Sequence, residues 1–502
     1  MRVLIFHGYL LRGTGSNIYN VSLVRALAAL GHEVELVCQE RHAEELDLPA
    51  AVTVHNPDIG RVLPVYVADE YAGFDAVPFS RLSDEQLDHY LEANVAAVRE
   101  VVAATGPDVA LANHLVMGPC ILARALGGEV PYAVKVHGSA LEYTVRPEPE
   151  RFLPYAQEGV AGASAVLVGS RHTAESLWEV MGDSDLPAKT RLGPPGVDVH
   201  EFRPREDAAA GLEELADRVE AGEAAGWGGE AGAAAALREL DPARDRIVSY
   251  VGKLIVSKGV DLLIAAWPLV VARVAGARLV VVGFGIYRDA LGAMVEALRG
   301  ADLDAIRDIA TRGRGLEGGE ERELAYLSSF LDSLDGEGRE AYLAAAPEAA
   351  ARISFTGRLE HTDLPRLLPA CEAQVVPSTF PEAFGMVAAE AACCGALPLS
   401  AAHSGLAEVT TTLAAALDAD LAPLLSFERG PGAVEEISEK LVAWLSLPDG
   451  ERERASSALS DLARRIYGWE SVAEGVIAAA EGRLDGLPKP GAGAPPSGMA
   501  SG

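Results

Sequence analysis

A chain of 502 residues exceeds one ordinary domain, and its 49% apolar content supplies material for two cores. A formal net charge of −31 argues against a nucleic-acid partner and against stable association with an anionic membrane. Five cysteines without a C-x-x-C pair suit buried thiols in a reducing, cytoplasmic setting better than disulfides or zinc. Two segments hold about half of the charge. Residues 206–245 carry 11 acids and 3 Arg, and residues 300–350 carry 12 acids and 5 Arg, as solvated helical insertions would.

The N-terminus, MRVLIFHGYLL, lacks a long apolar core and a cleavage site, so residues 2–7 are expected to form a buried strand and not a signal peptide. A glycine-bearing loop (8–15), a helix (16–30) stopped by Gly31 and a strand (33–38) complete a βαβ unit. Such units predict a doubly wound parallel sheet. The loop Arg12-Gly13-Thr14-Gly15-Ser16-Asn17 is not G-x-G-x-x-G, so a dinucleotide fingerprint is absent. Its backbone and the helix start could face an anion, or form a capped turn. Further units follow: helix 84–105, strand 108–112, helix 117–126, strand 132–136, a helix closing at 159–162, strand 165–168 and a helix from Ser170. Ligands in such sheets bind outside the carboxyl ends of strands. Asn113-His114 and His137-Gly138 both stand at that edge.

Residues 191–204, RLGPPGVDVHEFRP, have the proline stiffness of a crossover between domains. A second series begins after the first insertion: strand 246–251, a turn at Gly252-Lys253-Leu254, helix 259–274 and strand 278–282. The most apolar window, 262–285, is broken by Pro268, Arg273 and Arg278, so it should not span a membrane. After the second insertion come strand 353–356, helix 363–370 and strand 373–376, then closing helices at 438–445 and 449–465. A last helix, 471–484, is expected to pack back on the first domain. The Pro- and Gly-rich tail 485–502 is expected to be disordered. The fold class is therefore α/β, with Rossmann-like domains at 1–193 and 194–470 facing across a cleft.

The stretch PSTFPEAFGMVAAEA, from Pro377, is the most informative. Glu382 lies in the loop before a small-residue helix opening near Phe384-Gly385-Met386, and Glu390 lies about two turns inside it. A carboxylate among Ala, Val and Cys is uncommon unless paired or bound. Lys253 and Lys258, in GKLIVSKG, could project over the same strand-end edge. Two cations beside a helix start suit a diphosphate leaving group, and a carboxylate grips adjacent ribose hydroxyls. Surface lysines and a helix-start carboxylate would read more blandly one at a time; together they describe a nucleotide-diphosphate site.

These stretches, with Gly31-His32-Glu33-Val34, Pro194 to Asp198 leading to Phe202 and Pro204, and Gly405-Leu406-Ala407-Glu408-Val409, resemble the family 4 retaining glycosyltransferases of the GT-B fold. The resemblance implies a role for each matching residue. Glu390 would hold the donor ribose, and Lys253 and Lys258 the diphosphate, with Lys253 where the family commonly has Arg. Glu382, Phe384, Gly385 and Met386 would contact the transferred sugar, and His137 would reach it from the N-terminal domain. The loop with Gly15 and Ser16 would approach the phosphates, and Gly283, Arg358 and Leu359 would border the base. Asn113, His114 and the loop 65–74 are acceptor-side candidates. Ser404 stands where the family often has Gly.

The implied activity is transfer of a sugar (a UDP-sugar first, a GDP- or ADP-sugar as options) to a hydroxyl of a soluble small-molecule or glycan acceptor, with retained configuration. Neither a cofactor nor a metal is expected, and the Asp183-Ser184-Asp185 triplet is taken as a loop feature. A GT-B epimerase, a sugar phosphorylase and a silent nucleotide-sugar-binding protein are the alternatives.

Overall fold

The structure, a computed structural model, describes residues 1–11, 15–66, 73–222 and 229–491. Arg12-Gly13-Thr14 of the first loop, 67–72 of the 65–74 loop, 223–228 of the first insertion and 492–502 of the tail lie outside the described residues. The chain folds as two units, one made of Met1–Gly196 together with the C-terminal segment from Tyr467, the other of Val197–Ile466.

The first unit holds β1 (Arg2–Phe6), β2 (Glu33–Val37), β3 (Val52–His55), β4 (Val62–Val65), β5 (Asp75–Pro78), β6 (Val109–Asn113), β7 (Tyr132–Val136), β8 (Ala165–Val168) and β9 (Thr190–Leu192). Seven of them form one sheet in the order β3-β2-β1-β6-β7-β8-β9, parallel throughout, and β4 pairs with β5 alone. Every residue of β6, β7 and β8 is buried, as expected of a parallel sheet covered on both faces. The helix Gly15–Ala29 covers one face, and Trp469–Ala480 joins it there through Val472, Ala473, Val476 and Ile477. On the other face, Asp84–Thr105 starts in a capping box: Ser83 and Gln86 each bond the other's backbone N–H. Gly106, at φ 60°, ends that helix in a conformation that favours glycine.

The second unit holds β10 (Arg246–Val251), β11 (Ala277–Val282), β12 (Ile353–Gly357), β13 (Ala373–Val376), β14 (Leu397–Ala401) and β15 (Ser426–Phe427), in the order β12-β11-β10-β13-β14-β15, again all parallel. Both insertions are helical: Ala208–Glu220 and Ala233–Arg238 in the first, Leu303–Arg312, Ala325–Ser333 and Gly336–Ala351 in the second. Each sheet reverses its strand order once, between β1 and β6 and between β10 and β13. That reversal is where an open α/β sheet leaves a crevice for a ligand.

The tail differs from its expectation as far as Pro488. Pro488 O accepts from Leu192 N at 2.7 Å, Leu484 O accepts from Arg191 Nε at 3.0 Å, and Leu484 and Leu487 pack on the first core. Two leucines and an open sheet edge outweigh the local Pro/Gly composition. Among the described residues no helix is long and apolar enough to cross a membrane.

Candidate functional site

In the second unit, the loops leaving β10, β11 and β13 lie backbone against backbone. Gly252 N donates to Val282 O at 3.0 Å, Leu254 N to Phe284 O at 2.8 Å, and Thr379 N to Ser257 O at 2.9 Å. The glycines are required by close approach. A Cβ on Gly259 (φ 65°) would stand 2.1 Å from Pro377 O, and one on Gly283 would stand 1.8 Å from Gly252 O. These approaches bring Lys258, in the 3₁₀ turn Val256–Lys258, to the loop that follows β13.

Lys258 Nζ there forms an ion pair with Glu382 Oε1, which also accepts from Ser378 Oγ at 2.8 Å. Both partners of the ion pair keep about a quarter of their side-chain surface exposed. The backbone of Glu382 is pinned from β14's end: its N donates to Ser404 Oγ at 2.8 Å, and its O accepts from Gly405 N at 2.9 Å. A Cβ on Gly405 would fall 2.3 Å from Phe384 Cα, so only glycine permits that crossing. Ser404 stands at φ 50°, in the left-handed region, and its hydroxyl supplies an anchor that glycine could not. His403 Nε2 donates to Ser378 O at 2.7 Å and so ties the two loops together.

The helix Met386–Cys393 follows Gly385, and Glu390 in it is 2% exposed. A carboxylate so buried needs a partner. It has one: Glu390 Oε1 lies 2.8 Å from His361 Nε2, and this bond raises the pKa of His361 above its ordinary value. His361 is half-exposed and packs 5.1 Å from the Phe202 ring. Lys253 is exposed: its backbone O accepts from Tyr250 Oη at 2.9 Å, and its side chain makes no hydrogen bond or ion pair among the described residues. Leu359 is buried, while Arg358 pairs with Glu360 at 2.9 Å and lies 5.7 Å from the Phe284 ring centre. The first insertion reaches this stretch: Gly229 bridges Gly357, and Glu230 holds Arg288 at 2.7 Å above the Phe355 ring.

The reversal point of the first unit carries neutral groups. His7 follows β1, Asn113 ends β6, His137 follows β7, and Asn17 and Asn20 come from the helix that begins at Gly15 and Ser16. His137 Nε2 lies 2.8 Å from Asn113 Oδ1, Asn113 Nδ2 lies 2.9 Å from Asn20 Oδ1, and Asn20 Nδ2 lies 3.0 Å from His7 Nδ1. Burial lowers His7 to about 4 and holds His114 and His137 well below the usual histidine range. The acceptor-side expectation for Asn113 and His114 is corrected here. Asn113 is 1% exposed with both ends of its amide bonded, and His114 is enclosed by the rings of His7, Tyr9, Tyr66 and His137. The end of a central strand at the reversal point is itself covered, so neither side chain is presented to an acceptor. Asp183 Oδ1 accepts from Asp185 N at 2.9 Å, a local turn.

His361, His403 and the His7–Asn20 pair carry no mark in the sequence. His7 meets Asn20 across 13 residues, His403 meets Ser378 across 25 and His361 meets Glu390 across 29, and no local spacing signals these pairings.

Two family models match: a glycosyl transferase 4-like domain over residues 14–196, and glycosyl transferases group 1 over residues 332–423. A D-inositol 3-phosphate glycosyltransferase of Frankia alni is 30% identical over 206 residues, covering 39% of this chain and 46% of that protein. The protein of that name from Mycobacterium tuberculosis is 26% identical over 402 residues, covering 78% of this chain and 65% of its own length. The chain thus spans between about half and two-thirds of these relatives. Among solved structures, Anabaena HepE in complex with UDP and glucose superposes with a TM-score of 0.54 at 15% identity, covering 95% of this chain and 99% of that one. A glycosyltransferase from Rickettsia africae gives a TM-score of 0.57 at 12% identity, over 96% and 99%. At these identities the superpositions speak for the fold alone. With both domain models matched in chain order on two Rossmann-like units, the chain belongs to the family 4 glycosyltransferases of the GT-B fold.

Proposed function

We propose that the protein transfers a sugar from a nucleoside-diphosphate donor, UDP-sugar first, to a hydroxyl acceptor, with retained configuration and without a metal. The observation that carries this reading is Glu390: a carboxylate 2% exposed, in the helix Met386–Cys393 that follows the loop of the Lys258–Glu382 pair. One Glu390 oxygen is engaged by His361, and a carboxylate has lone pairs left for two ribose hydroxyls. Lys258 and the exposed Lys253 hold the diphosphate, whose negative charge grows as it leaves. Glu382, Phe384, Gly385 and Met386 meet the sugar, Gly283, Arg358 and Leu359 border the base, and His137 serves the sugar's hydroxyls.

Glu382 is a positioning and charge-stabilising group. Its pairing with Lys258 and Ser378 makes it a poor glycosidase-type nucleophile, and the leaving diphosphate takes the acceptor proton in a front-face attack. The acceptor is a soluble polyol or glycan in the cytoplasm. D-inositol 3-phosphate, the compound in the relatives' name, is the first to try.

A thermal-shift titration with UDP, GDP and ADP tests the donor half. At a hundredfold excess over Kd, binding should stabilise the protein by about 2.7 kcal/mol. Glu390→Ala, shown to be folded, should weaken nucleotide binding roughly 100-fold, as loss of two charge-assisted hydrogen bonds implies. Unchanged affinity in that variant sinks the proposal.

A further inference from the structure

The polar side chains at the ends of β1, β6 and β7 form one line of hydrogen bonds, each link oriented by a backbone carbonyl that can only accept. Leu10 O lies 3.2 Å from His7 Nε2, so that nitrogen carries the proton. His7 Nδ1 is then bare and accepts from Asn20 Nδ2 at 3.0 Å. The amide of Asn20 is oriented independently, because Nδ2 also donates to Ser16 O at 2.8 Å. Its Oδ1 therefore accepts from Asn113 Nδ2 at 2.9 Å. Asn113 is anchored in its turn, with Nδ2 donating to Phe6 O at 3.2 Å. Only Oδ1 of Asn113 remains for His137, and at 2.8 Å His137 Nε2 must donate to it.

An imidazole protonated at Nε2 alone leaves Nδ1 as an acceptor. Nothing in this line adds a second proton. No carboxylate is bonded to the ring among the described residues, burial disfavours its charge, and His114, Lys135 and His7 stand as its titratable neighbours. His137 itself is only partly buried, and Nδ1 makes no hydrogen bond among the described residues.

We propose that Asn113 is a positioning residue that fixes His137 as the Nε2–H tautomer, so that Nδ1 accepts a hydrogen bond from a sugar hydroxyl of the substrate. This rests on the reading of His137 as a substrate contact. It gives the buried His7–Asn20–Asn113 line a task beyond satisfying its own polar atoms: it selects a hydroxyl as donor, and it rejects a group that can only accept.

The experiment has two arms on the full chain. Long-range nitrogen–proton NMR of the histidine rings between pH 6 and 8, with His137 assigned through His137→Gln, should show Nε2 protonated and Nδ1 bare. A ring protonated on Nδ1 in the wild-type chain overturns the proposal. In the second arm, turnover is measured with UDP-glucose and its monodeoxy and monodeoxyfluoro analogues. Fluorine cannot donate, so at one position both analogues should lose roughly tenfold in kcat/KM, the worth of one hydrogen bond. That loss should vanish in His137→Ala. In Asn113→Asp the carboxylate draws a second proton onto the ring, and the fluoro analogue should recover while the deoxy analogue does not. A wild-type enzyme that accepts the fluoro analogue at every position overturns the proposal. If His137→Ala is indifferent to all analogues while Glu390→Ala loses UDP, and the wild type shows no fluoro penalty either, the proposal falls and the donor reading stands. If Glu390→Ala keeps UDP, the donor reading itself falls.

Discussion

At the reversal point of the second unit, carboxylates are met by basic side chains: Lys258 forms an ion pair with Glu382, and His361 bonds Glu390. At the matching point of the first unit the side chains are neutral, and His7, Asn20, Asn113 and His137 hand hydrogen bonds along a line. The two edges share a topology and differ in how their geometry is held. The second uses glycines that let backbones touch, so that flexible charged side chains are carried on rigid loops. The first uses side-chain amides, so its rings are fixed by the hydrogen bonds themselves. A doubly wound sheet supplies the place for a ligand, and the loops decide whether that place handles charge or hydroxyl groups.

The contrast can be broken most severely at Lys258. Lys258→Ala removes the cation proposed to meet the developing diphosphate and leaves Glu382 with Ser378 but no cationic partner. Turnover should fall roughly 100- to 1,000-fold, as for loss of one transition-state donor. Steady-state kinetics with a folded variant measures this, and a loss below tenfold would place the diphosphate elsewhere.

A pH titration sharpens the contrast, because His7 and His114 of the first unit and His361 of the second shift in opposite directions. In the first unit burial lowers His7 and His114. Their stabilisation is complete above the unfolded value near 6.5 and is lost as pH falls toward the folded values. At pH 5 His7 costs about 2 kcal/mol, from 1.36 kcal/mol per pH unit, and His114 acts in the same direction. In the second unit the bond to Glu390 raises His361, whose contribution is present below the unfolded value and is lost as pH rises through the folded one. Hydrogen exchange followed by mass spectrometry should therefore show the first unit losing protection between pH 7 and 5 before the second does. Equal loss in both units would contradict the contrast.

The smallest effect is expected at Ser404. Ser404→Gly relieves a left-handed φ and removes the acceptor for Glu382 N, two terms that cancel to within about 0.5 kcal/mol of stability. Turnover should still fall roughly threefold, since the lost bond positions Glu382. A thermal melt and an activity assay on the same preparation separate the two.

The layout of strands and helices was legible because parallel strands are short, apolar on both faces and punctuated by glycine. Runs such as 132–136 and 246–251 have few other readings. The loop glycines were legible as motifs, and the structure supplies the cause in the close backbone approaches at Gly259, Gly283 and Gly405. Partnership was not legible. Strand-end position placed Asn113 and His114 at a ligand edge, but it gives no information about which way a side chain turns. Asn113 turns inward to His137 and Asn20. The family resemblance assigns Lys258 and Glu382 to different parts of a donor, and the structure pairs them with each other, across 124 residues of chain.

The hydrogen bond from Leu192 to Pro488 bears on how this protein is handled. β9 is the outer strand of its sheet, and an uncovered outer strand is a template for intermolecular pairing and aggregation. By composition the segment after Leu484 looks dispensable, and a shortened expression clone would be a natural economy. Cutting there strips Leu487 and Pro488 from that border. The soluble yield of the recombinant protein should therefore fall unless the chain is kept through at least Pro488.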